Sequence, residues 1–206
     1  MTTTLTRLYD DYTTANKVME ELESVGVPAS EISIVASNAD SWYSATKSHD
    51  RDHDGVDDRA EGAATGAVIG AATGGVAGLL AGLGLLAIPG IGPVVAAGWF
   101  ASTAVVAAAG GVTGGIIGAL AEAGVSDEDA HVYAEGVRRG GTLLTVRIPE
   151  ADRVRVETIM DRGAVNIWDR GLAYRKAGWK TFDPAASPYS ADQVRREREQ
   201  YRKNAA

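Results

Sequence analysis

The sequence predicts an α+β fold interrupted by an apolar helical hairpin, and three observations predict it. Residues 4–36 and 142–168 each pass from strand-like alternation to helical spacing and back to a strand. Between them, Gly62 to Ala121 runs for 60 residues without one charged side chain, in a chain holding 20 basic and 27 acidic residues. Within that block, glycine returns at every fourth position from Gly62 to Gly82. Two β-α-β units with an extra helix make a ferredoxin-like split β-α-β sandwich, and the glycine block is its insertion. Two unrelated small subdomains are the alternative.

The elements follow in order. Thr4 to Tyr9 alternates β-branched and apolar residues and reads as a strand. Asp11 to Val25 carries Ala15, Val18, Met19, Leu22 and Val25 at helical spacing, and Gly26 and Pro28 end that helix. Ile32 to Ala36 is the second strand, which completes the first half over residues 1–37. Residues 38–61 form an acidic linker with a short helix near Trp42. Over residues 1–61, 13 acidic side chains face 5 basic ones. After the block, residues 122–174 read as α-β-α-β. Ser126 caps a helix from Asp127 to Arg138, whose opening acids suit the positive helix end. Thr142 to Ile148 is a strand, Pro149 begins a helix through Asp161, and Ala164 to Trp168 is the last strand. Residues 175–206 form a basic tail with Pro184, Pro188 and a short helix from Ser190.

The block, residues 62–121, carries 16 of the 25 glycines. Gly62, Gly66, Gly70, Gly74, Gly78 and Gly82 fall on one helical face, where missing side chains let a second helix approach closely. Gly98, Ser102, Gly110, Gly114 and Gly118 keep the same spacing, with Val106 as the exception. Pro89-Gly90-Ile91-Gly92-Pro93 is the turn between two helices. Helices over 62–88 and 94–121 would each measure about 40 Å, enough to cross a hydrocarbon core of about 30 Å. Trp99 and Phe100 then sit at the far interface. Eight glycines in Gly62–Ile88, at about 1 kcal/mol each relative to alanine, make such a helix unstable alone in water. Its hydropathy is marginal and its acidic flanks give no positive-inside support. Two settings therefore stay open: a bilayer, or the shared core of a soluble homo-oligomer.

Composition removes several classes. Without cysteine there is no disulfide framework and no thiol chemistry. A net charge of −7 argues against nucleic acid as a partner. The N-terminus has no basic segment leading into an apolar run, so the polar parts are expected in the cytoplasm. Asp50, Asp52, Asp54, Gly55 and Glu61 match a calcium-loop spacing. Asp57 occupies the usual hydrophobic position, no second loop pairs with it, and an acidic linker is the blander account. His49 and His53 lie in the same linker, and His131 is a surface or packing residue. Arg195, Arg196, Arg198, Arg202 and Lys203 suit either anionic lipid headgroups or a solvated helix face. No nucleophile or phosphate-loop motif is present, so no catalytic residue and no cofactor is expected beyond the weak Ca²⁺ option.

Thr14-Ala-Asn-Lys-Val18, Gly26-Val-Pro28, Ile32-Ser-Ile-Val35, Gly66-Ala-Val-Ile-Gly70, Tyr133-Ala-Glu-Gly-Val137 and Gly140-Gly-Thr-Leu-Leu-Thr-Val146 occur in this order. In this the chain resembles the bacterial general stress protein (heat-induced or low-temperature-induced protein) family, over about residues 3–170. The resemblance implies a stress-induced, non-enzymatic protein and offers no catalytic residues to carry over. The expectation is a cytoplasm-facing sandwich that self-associates through a glycine hairpin inserted in, or assembled at, the inner membrane. The alternatives are a soluble cytoplasmic homo-oligomer and a Ca²⁺- or ligand-responsive binding module.

Overall fold

The computed structural model describes residues 1–43, 84–100 and 115–204. Among these residues, five strands form one antiparallel sheet: β1 (Thr2–Tyr9), β2 (Ile32–Ser37), β3 (Gly84–Ile88), β4 (Gly92–Ala97) and β5 (Thr142–Pro149). The helices among the described residues are α1 (Tyr12–Ser24), α2 (Gly115–Glu122), α3 (Asp127–Arg138), α4 (Arg153–Met160), α5 (Ile167–Lys176) and α6 (Ala191–Asn204). The spatial strand order is β1-β5-β2-β4-β3. Both β1 and β2 are antiparallel to β5, so they run parallel to each other with β5 between them.

Alternation along the strands divides the apolar residues between two faces. Leu5, Tyr9, Ile32, Ile34, Leu144 and Val146 meet Val18, Met19 and Leu22 of α1 and Val156, Ile159 and Met160 of α4. Leu8, Val35, Val94, Ala96 and Leu143 meet Ile116 and Leu120 of α2 and Ala130, Ala134 and Val137 of α3. Strand β2 is buried at all six positions because helices cover both sides of it. Asp11 caps α1 by accepting the Thr14 N–H at 2.8 Å, and Ser126 caps α3 by accepting the Asp129 N–H at 3.2 Å.

Four expectations change. Residues 84–97 form a β-hairpin and not the facing ends of two helices, so the turn at 89–93 is the tip of a sheet extension. Ile88, Val94 and Val95 supply β-branched positions there, and Gly90 and Gly92 take positive φ in the turn. Phe100 is buried in the core, and Trp99 packs on it edge to face at 5.7 Å, so neither serves as a membrane belt. The last strand is replaced by a helix: the Asn166 side chain accepts the Asp169 N–H at 3.1 Å and starts α5. Of that strand there remains one backbone bond, from Val165 N–H to the Leu8 carbonyl at 2.8 Å. Finally, residues 38–43 form a loop and not a helix. Asn38 donates to the Tyr43 carbonyl at 2.9 Å and accepts the Tyr43 N–H at 3.0 Å.

Candidate functional site

The chain enters and leaves the β3–β4 hairpin at one end of the sheet. Gly84 lies opposite Ala96, so the uncharged segment before β3 and the one after Phe100 join the fold side by side. Gly98 makes this junction tight. Its φ is +89°, and a Cβ there would lie 2.4 Å from the Ile32 carbonyl oxygen. Next to it, Ser33 donates its hydroxyl hydrogen to the Ala97 carbonyl at 2.8 Å.

At the same end, β1 and β2 begin and β5 finishes, and an open groove of about 870 Å³ lies among them. Its polar lining comes from Thr2, Thr4, Glu31, Arg147, Asp152 and Arg155. Arg147 donates from Nε to Glu31 at 2.9 Å, and its guanidinium lies 4.3 Å from the Trp99 ring centroid. Trp99 in turn donates its indole hydrogen to the Glu31 carbonyl at 3.3 Å. Arg155 donates to Asp152 at 2.9 Å and to the Val25 carbonyl at 2.9 Å. Both cations thus carry a carboxylate partner, and among the described residues the lining holds no histidine. The arrangement is suited to fixing the Trp99–Phe100 exit.

Sequence reasoning passed over these residues. The available signal was Arg147, a charge in the otherwise uncharged strand Thr142–Ile148.

The candidate residues named from sequence fall in three groups. Asp50, Asp52, Asp54 and Glu61 of the calcium spacing, with His49 and His53, lie outside the described residues. So do Gly62, Gly66, Gly70, Gly74, Gly78, Gly82, Gly110 and Gly114. Gly118 is described: it is exposed on α2, and among the described residues a Cβ there would meet nothing within 4 Å. His131 has partners the sequence did not reveal, Thr181 Oγ1 at 3.0 Å and Asp127 at 3.8 Å. Among the described residues, no group of three or more His, Asp or Glu side chains could hold a metal ion, and no helix is long and apolar enough to cross a membrane.

Comparison with protein families, with curated proteins and with solved structures returns no match for this chain.

Proposed function

We propose that this chain is a non-enzymatic protein of the general stress type, which self-associates through its uncharged glycine segment while the α+β domain carries that segment. The β3–β4 hairpin is the observation that supports this reading most. It takes the middle of the uncharged block into the sheet and leaves two separate stretches, residues 62–83 and 101–114, attached at one end. The split β-α-β order of β1, β5 and β2, with α1 and α4 on one face, is read here as ferredoxin-like, with Val165 as the relic of its last strand.

The same placement supports one of the two settings for the glycine segment over the other. Residues 101–114 would extend about 21 Å as a helix, short of a hydrocarbon core of about 30 Å. Residues 62–83 would reach about 33 Å, but one crossing would put Tyr43 and Gly84 on opposite sides of the bilayer. Those two residues flank strands of one sheet. The two-pass hairpin turning at 89–93 is therefore abandoned, and a homo-oligomer whose glycine segments share a core is favoured. Glycines spaced by four residues offer the close backbone approach such a core requires.

Fractionation of cells expressing the full chain tests the setting. The expected result is release by alkaline carbonate as a defined oligomer. Retention in the washed membrane would overturn the reading.

A further inference from the structure

Residues 179–204 pass over the second face of the sandwich as an extended strap ending in α6. The strap meets three glycines, each of which leaves room for one of its residues. A Cβ on Gly90 would lie 2.6 Å from Pro184 Cα, one on Gly92 2.7 Å from Pro188 Cβ, and one on Gly140 2.3 Å from Val194 Cγ1. Arg198 then donates from Nε and Nη2 to the Gly140 carbonyl at 3.1 and 2.7 Å, and from Nη1 to Asp40 at 2.6 Å. Arg139 reaches Glu197 at 3.2 Å, and Arg138 donates to the Ser187 carbonyl at 2.9 Å. Arg170 lies 3.6 Å from the Tyr201 ring centroid.

Two properties distinguish this seam from the sheet interior. Among the described residues of the strap, the buried apolar side chains are Phe182 and Val194. Among the described residues, seven buried side-chain polar atoms have no hydrogen-bond partner within the protein, and four of them lie along it: Asp40 Oδ1, Arg138 Nε, Trp179 Nε1 and Glu197 Oε2. Such atoms destabilise a closed interface and regain water when it opens. A seam held by few apolar residues and several uncompensated polar atoms opens before a well-packed core does.

We propose that residues 179–204 are a latch that releases separately from the sandwich. It holds Asp40, four residues before the 44–83 segment, and the β3–β4 turn at Gly90 and Gly92, which lies beyond β3 from that segment. This goes beyond the proposed self-association and does not depend on it. Amide hydrogen exchange on the full chain, with Arg198→Ala and Val194→Ala as variants, tests it. Each variant is expected to speed exchange of α6 and of Ile91 by about tenfold or more, with Leu144 and Val146 amides of β5 unchanged. Equal acceleration of β5, or no acceleration in α6, would overturn the latch.

Discussion

Arg139 donates its Nε hydrogen at 2.7 Å to the Glu135 carboxylate, whose side chain is 0% exposed to solvent. Arg138 reaches the other carboxylate oxygen at 3.2 Å, so two cations neutralise one buried acid at the end of α3. Removing one member of such a group leaves charge uncompensated in the interior. Glu135→Ala is expected to cost about 3–5 kcal/mol in a denaturant titration. Glu157→Ala, at the solvent-screened Arg153 pair, is expected to leave the midpoint nearly unchanged.

Gly98 gives a backbone test. Alanine there combines a positive φ with a collision against the Ile32 carbonyl and Ser33 Cα, which are main-chain atoms unable to yield. Gly98→Ala is expected to lower stability by about 2 kcal/mol or more. Gly118→Ala, on an open helix face, is expected to be neutral or slightly stabilising. Thermal unfolding of the two variants side by side separates these outcomes.

These two glycines also mark what could be read from the sequence. Both belonged to one four-residue series, yet one sits in a turn against β2 and the other on an exposed helix. Period alone could not separate them, because Ala, Gly and Val serve equally in a packed helix or a buried strand. The break was visible: the spacing from Gly62 to Gly82 next falls on Leu86, inside β3. The β1, α1, β2, α3 and β5 elements were legible because alternation, caps and charge agreed. The strand expected at Ala164–Trp168 failed because Asn166, an N-cap residue, outweighed a short apolar run. The seam of the strap was illegible, since the hydrogen-bond partners across it lie 49 to 158 residues apart in the chain.

Alkaline pH should loosen the second face through Tyr133. Burial pushes its hydroxyl up to about 12, and it donates to the Thr6 carbonyl at 3.1 Å. The folded state therefore holds a proton that the unfolded chain releases near pH 10. The resulting stability is complete below about pH 10 and is lost as pH rises through about 12. Tyr133→Phe is expected to flatten the fall in stability across that window, followed by denaturant midpoint against pH.

Trp99 links the groove to the hairpin exit through its stack on Arg147 and its bond to Glu31. Trp99→Ala is expected to cost about 3–5 kcal/mol, mostly from lost packing. Arg147→Lys keeps the charge but loses the planar stack, and is expected to cost about 0.5–2 kcal/mol. Equilibrium unfolding monitored by circular dichroism checks both.

Self-association through Gly62–Gly82 is tested most directly by the sedimentation mass of the full chain with both Gly70→Leu and Gly74→Leu introduced. The wild type is expected to sediment as a multiple of 21.4 kDa, with the double variant falling toward the monomer and Gly118→Leu leaving the mass unchanged. A double variant with the mass of the wild-type assembly, or a wild type that is monomeric, would contradict it.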